Sequence, residues 1–129
     1  MVMNADPEQY EMGDERRNAA IVCLYMGEAN NGGLNAFLTN HSNLDGQEVL
    51  HSIEKIGANA AANQLREVLE KLGGYLPATT QDERWDQLEE LWTDELDESD
   101  FLTAEADESL VAALKAHVSK NIEYYLKTQ

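Results

Sequence analysis

Thr80-Gln81-Asp82-Glu83-Arg84-Trp85-Asp86-Gln87-Leu88-Glu89-Glu90-Leu91-Trp92-Thr93-Asp94-Glu95-Leu96-Asp97 is the stretch on which the fold assignment turns. Thr80 and Glu83 have capping-box spacing, with Thr80 as N-cap and Glu83 reaching back to it. Trp85, Leu88, Trp92 and Leu96 recur at intervals of three and four, the stripe of an amphipathic helix. On another face Asp82, Asp86, Glu90 and Asp94 form an i, i+4 row, flanked by Glu83, Glu89 and Asp97. The pattern predicts one helix, apolar on one side and anionic on the other. Such a helix needs a helical scaffold to receive its apolar side.

Charge is concentrated around this stretch. Residues 81–109 hold thirteen acids and the single base Arg84, in a chain of 25 acids and 9 bases with a formal net charge of −16. Helix stability does not explain the arrangement. Like charges at i, i+4 cost roughly 0.2–0.5 kcal/mol per pair. Asp94, Glu95, Asp97 and Glu98 would crowd a helix C-terminus, where acids oppose the dipole. Solubility is one explanation, since an acidic face keeps a small protein dispersed. Charge density offers another. Asp82 to Asp97 places eight acids along about 22 Å of ideal helix, one per ~3 Å, and a strand of B-DNA carries a phosphate per ~3.4 Å of axis.

The remainder reads as scaffold. At 129 residues and 43% hydrophobic, the chain has the size of one domain that can bury a core. Residues 1–5 read as a loose end. Asp6-Pro7 predicts a helix start, with Asp6 as N-cap and Pro7 at the first helical position. That helix is expected over 7–27, with Ile21, Val22, Leu24, Tyr25 and Met26 central to the core. Asn30-Asn31-Gly32-Gly33 predicts its end and a turn, because Asn and Gly tolerate left-handed backbone. A short helix over 34–41 offers Leu34, Phe37 and Leu38. After Asn43-Leu44-Asp45-Gly46 a third helix runs to about residue 56, with Val49, Leu50, Ile53 and Ile56 inward and Gly57 as its stop. The next, 59–72, packs Ala62, Leu65, Val68, Leu69 and Leu72 and ends at Gly73-Gly74, before a loop with Tyr75 and Pro77. A connection over 98–107 is expected to dock through Phe101 and Leu102. A last helix over 107–126 carries Leu110, Leu114, Val118, Ile122 and Leu126 at spacings of four, with Val111 and Tyr125 widening its face and Lys115, Lys120 and Lys127 in its later half. The expected architecture is all-α: a single compact domain of about six helices.

Composition narrows the function. A pI near 4.3 disfavours direct contact with nucleic acid or an anionic membrane, so a charge-driven partner should be basic. Residues 19–26 are apolar behind Arg16 and Arg17, yet Glu8, Glu11, Asp14 and Glu15 are the wrong flank for a secretory leader, and a cytoplasmic protein is expected. Cys23, the only cysteine, reads as a small buried hydrophobe rather than a nucleophile. No enzyme is expected: His41, His51 and His117 are scattered, and no nucleophile–base–acid set can be assembled. No cofactor or specific metal is expected either. A zinc-type Cys/His set is missing from the sequence, and Asp94 to Asp100 lacks the alternating ligands and glycine of a calcium loop.

Asn30-Asn31-Gly32-Gly33-Leu34, then Phe37 and Asn40, then Ile56-Gly57-Ala58 and an Ala- and Leu-rich helix resemble the DNA mimic protein 19-like family of bacterial proteins. Leu34 departs from the pattern, standing where an aromatic is common. The resemblance implies an all-helical fold. For the namesake of that family it implies a dimer whose acidic surface occupies the DNA-binding face of a repressor-type transcription factor. The reading that joins both lines is an acidic DNA mimic that blocks a basic DNA-binding protein of helix-turn-helix type, without touching nucleic acid or membrane and with a homodimer as a possible form. Its expected contacts are Asp82, Asp86, Glu89, Glu90, Asp94, Asp97, Glu98 and Asp100. Two alternatives use the same residues differently: an immunity-type inhibitor of a basic nuclease toxin, and a protein whose acids serve solubility alone.

Overall fold

The computed structural model describes residues 6–74 and 76–121. Within them the chain forms six α-helices and one preceding 3-10 turn, Pro7–Gln9, with no strand among the described residues. The helices are α1 (Glu15–Asn40), α2 (Gly46–Ile56), α3 (Asn59–Lys71), α4 (Gln81–Leu91), α5 (Asp94–Asp97) and α6 (Ala104–Lys120). Helix α1 is the central element and packs against α2, α4 and α6, while α3 lies between α2 and α6. The expected all-α class holds.

The first helix starts later than the sequence suggests. Asp6 caps only the 3-10 turn, accepting from Glu8 N at 3.1 Å, and the chain then reverses through Gly13 at φ 89°. Asp14 supplies a second N-cap, accepting from Arg16 N at 2.8 Å, and α1 begins at Glu15. Arg17 explains why the short turn persists. Its Nη1 donates to the Pro7 and Tyr10 carbonyls, which a continued helix would have satisfied internally, and its Nε binds Glu48 at 2.7 Å. The apolar heart of α1 is as expected: Ile21, Val22 and Tyr25 are fully buried, with Leu24 and Met26 packed against the core.

The cap at Asp14 has a measurable pH signature. The Arg16 side chain donates to its carboxylate and holds the pKa below the usual range, against an opposing effect of burial. A folded pKa below the unfolded one means that the stabilisation is complete above about pH 4 and disappears as the pH falls through the folded value. Asp14→Ala is expected to cost ~1 kcal/mol at pH 7. In urea titrations the gap between variant and parent should shrink toward zero in strong acid; a gap of constant size would assign the loss elsewhere.

The first helical run ends within the expected 30–33 segment, but the break takes one residue rather than four. Helical backbone continues through Asn30, Asn31 and Gly32, and only Gly33 leaves it, at φ 93° and ψ 173°. Leu34 to Asn40 then form a second helical run, the short helix expected over 34–41, set off by this kink within the span given as α1. The kink orphans two amides, and Asp100 satisfies both from across the fold: its carbonyl accepts from Leu34 N, and its Oδ1 accepts from Asn35 N at 2.8 Å. A distant residue thus does what a local turn was expected to do.

Helices α2 and α3 follow the sequence closely. Asp45 caps α2 at Gln47 N, and Gly57, left-handed at φ 94°, closes it. Val49, Leu50, Ile53, Ala62, Leu65, Val68, Leu69 and Leu72 are buried as expected. Gln64 on α3 is buried as well, and it fastens the connection before α6. Its Nε2 donates to the Ser99 and Phe101 carbonyls, and its Oε1 accepts from Thr103 N at 3.1 Å. That backbone clamp replaces the expected docking of Phe101, whose side chain is exposed, while Leu102 does pack on the core.

Helix α6 starts at Ala104, earlier than expected, because Thr103 accepts from Ala106 N at 3.0 Å. Leu110 and Leu114 are buried and Val111 and Val118 partly so. The expectations for residues 1–5, for Tyr75, and for Ile122, Tyr125, Leu126 and Lys127 lie outside the described residues. Cys23 is half-buried against the core, and burial pushes its thiol pKa up, which disfavours a reactive thiolate. Among the described residues, no helix is long and apolar enough to cross a membrane.

Candidate protein-binding surface

Helix α4 begins as its sequence demands. Thr80 accepts from Glu83 N at 3.2 Å. The reciprocal half of the capping box is different: the Glu83 carboxylate accepts from Thr79 Oγ1 at 2.6 Å. The side chains of Thr79, first, and of Thr80 hold the Glu83 carboxyl pKa below its ordinary value by hydrogen bonding.

The rotation of α4 differs from the expected one. Arg84, Leu88 and Leu91 face the core, and Trp85 does not: Arg84 is 0% exposed and Trp85 60%. Arg84 Nη1 donates to the Leu38 carbonyl at 2.8 Å, and Nη2 meets the carbonyls of Pro77, Ser42 and Leu44 at 2.7, 3.3 and 3.3 Å. These acceptors lie where α1 ends and where the chain passes into and out of α2 and α3, so the guanidinium fork ties three segments to α4. Burial pulls the Arg84 pKa down, and the nearby Asp45 carboxylate opposes that shift. Leu88 and Leu91 with Arg84 on the same face were the available signal; the 85, 88, 92 spacing of Trp85, Leu88 and Trp92 masked it.

With Arg84 inward, the acids point out. Asp82, Glu83, Asp86, Glu89 and Glu90 are all exposed and fill one arc of α4. Five acids between Asp82 and Glu90 span about 12 Å of helix axis, denser than one per 3 Å. The arc does not continue to Asp94 as the sequence suggested. Helix α4 ends at Leu91, because Trp92 (ψ 126°) and Thr93 (ψ 165°) are extended, and Thr93 caps the separate turn α5. The break has two physical causes. It lets Leu96 reach full burial, and it turns Asp94 and Glu95 from disfavoured C-terminal acids into first-turn acids.

The remaining acids divide by what they touch. Asp94 and Glu98 are exposed at the two ends of α5. Asp97 is exposed and accepts from Trp92 Nε1 at 2.8 Å. Asp100 is partly buried and holds the kink of α1. The structure therefore brings Asp82, Asp86, Glu89 and Glu90 together, carries Asp94, Asp97 and Glu98 on the separate turn α5, and engages Asp100 in the scaffold.

The distribution of bases sharpens the picture. Arg16 pairs with Asp14, Arg17 with Glu48, Arg66 with Glu54 and Lys71 with Glu95. None of these pairs involves α4. Among the described residues no lysine or arginine neutralises Asp82, Asp86, Glu89 or Glu90. Nor do three His, Cys, Asp or Glu side chains among them converge to hold a metal ion. The carboxylates diverge toward solvent, a geometry suited to a broad charged surface.

A family model described as DMP19-like protein matches residues 11–127. No curated protein and no solved structure matches the chain.

Proposed function

The chain belongs to the DMP19-like family, and from that premise we propose that it is a DNA mimic, binding the basic DNA-contacting face of a transcription factor and keeping that factor off DNA. The observation that carries the reading is the bare carboxylate arc of α4. Every acid–base pair of lysine or arginine among the described residues lies off this helix, and the helix's own base is turned into the core. A carboxylate and a phosphate oxygen make the same charge-assisted hydrogen bonds to Lys and Arg. Asp82, Asp86, Glu89 and Glu90 stand in for three or four phosphates along about 12 Å, with Asp94, Asp97 and Glu98 extending the field from α5. Competition follows directly, since one basic face cannot hold both surfaces. We further infer a helix-turn-helix regulator as the partner and a homodimer as the working form.

The test is a pull-down from host lysate at low salt with a salt-gradient elution, run beside Asp86→Lys/Glu90→Lys. Exposed charge contacts weaken as salt shortens the screening length. A DNA-binding regulator is expected on the parent bait, lost at high salt and lost by roughly 100-fold or more from the double reversal, with circular dichroism unchanged. The last figure allows about 1.4 kcal/mol for each reversed contact, in the range for charge-assisted bonds. A nuclease in the regulator's place would convert the reading to toxin inhibition. Equal recovery on both baits would reduce the arc to a solvated surface.

A further inference from the structure

Helix α4 inverts the usual order of burial. Of two adjacent residues, the guanidinium is enclosed and the indole is outside, with Arg84 at 0% and Trp85 at 60% exposure. Arginine is almost never fully buried, whereas tryptophan is highly buried on average. A small rotation of the helix would have brought Trp85 inward beside Leu88, which is buried already. The four carbonyls around Arg84 forbid it, because the fork fixes the rotational setting of α4. Trp85 is thereby held outward by the scaffold. Among the described residues the other large exposed apolar side chains, Met12 and Phe101, lie outside the helices.

The neighbours of Trp85 define what its face can take. One turn away on the same side are Asp82 at i−3 and Glu89 at i+4, whose Cβ atoms stand ~5–6 Å away on an α-helix. Both are exposed, and neither is paired with a base among the described residues. An indole face attracts a cation through its quadrupole, and a planar guanidinium adds stacking that a compact ammonium cannot supply. The same guanidinium keeps its edge N–H groups for a carboxylate. We propose that Trp85 is an arginine-selective anchor: the α4 face receives an arginine-bearing surface of the partner, with a guanidinium lying on the indole and donating to Asp82 or Glu89. This rests on the reading that the acidic arc meets a basic protein, and it adds which base the arc prefers. Carboxylates alone distinguish Arg from Lys only by fork geometry; the indole makes the distinction a property of one residue.

The experiment uses the full chain and two probes, oligoarginine and oligolysine peptides of equal length, titrated at low salt and followed by the anisotropy of a peptide label. The wild-type preference for oligoarginine is compared with that of Trp85→Leu, which keeps every charge and alters only an exposed position. Loss of the indole is expected to shrink the Arg-over-Lys ratio by roughly two- to five-fold, with Trp85→Phe intermediate. Oligoarginine should also quench the exposed Trp85 emission more than oligolysine does. Asp82→Asn/Glu89→Gln is expected to weaken both peptides alike. An identical Arg-over-Lys ratio in wild type and Trp85→Leu overturns the anchor, while salt-sensitive binding of both peptides in that case leaves the mimic reading standing. Failure of both peptides to bind any form overturns both readings.

Discussion

Arg84→Met is expected to destabilise the protein by about 3 kcal/mol or more, the cost of leaving two or more buried carbonyls without a donor. The carbonyls concerned are those of Leu38, Leu44 and Pro77, since the Ser42 carbonyl keeps the Thr79 N–H. Methionine fills similar volume, so the loss reports hydrogen bonding more than packing. Arg84→Lys should recover less than half of it, because one ammonium cannot reach four acceptors that a planar fork spans. Against a typical total of roughly 5–15 kcal/mol, either variant loses a large share, and urea unfolding followed by circular dichroism measures it. A loss below 1 kcal/mol would mean that the carbonyls find other donors and that α4 is positioned by Leu88 and Leu91 alone. In this variant the acidic arc itself is chemically untouched. Weaker partner binding at temperatures where the fold persists would therefore show that the setting of α4 matters as well as its charge.

Gly33→Ala is the second large expectation. At φ 93° and ψ 173° the backbone occupies a region open essentially to glycine alone, and forcing a side chain there costs about 1–3 kcal/mol. A Cβ would in addition stand 2.6 Å from Asp100 Oδ2 and 2.8 Å from its Cγ. Strain and collision together are expected to exceed ~3 kcal/mol. A double-mutant cycle separates them. With Asp100→Ala the side-chain collision vanishes and the strain remains, so Gly33→Ala should be less costly in that background, with a coupling of about 1 kcal/mol or more. Full additivity would place the whole cost in the backbone of residue 33.

Much of the scaffold was legible because its signals were local. Thr80 before an acidic turn, Asp45 before Gly46 and left-handed Gly57 after Ile56 each do in the structure what their residue types predict. Two of the differences come from a partner distant in sequence. Asn30 to Gly33 does mark the break between two helical runs, but Asp100 caps the second from outside, so Gly33 alone has to leave the helix. The rotation of α4 depends on carbonyls of the 38–44 segment that no pattern within α4 reveals. For the surface, the outward acids of α4 were readable from i, i+4 spacing. Its length was not, because the choice between continuing through Trp92 and recapping at Thr93 depends on whether Leu96 reaches the core.

The guanidinium of Arg84 also orders events in time. Three of its acceptors lie 46, 42 and 40 residues upstream. Contacts so separated in sequence carry a loop-closure cost and form after local helices do. Helix α4 can coil early from its own cap, yet it gains a definite facing only once the end of α1 and the start of α2 have met. A nascent or misfolded chain therefore carries the same acids without presenting them as one arc. The display is conditional on completed folding, which confines the proposed decoy activity to finished molecules.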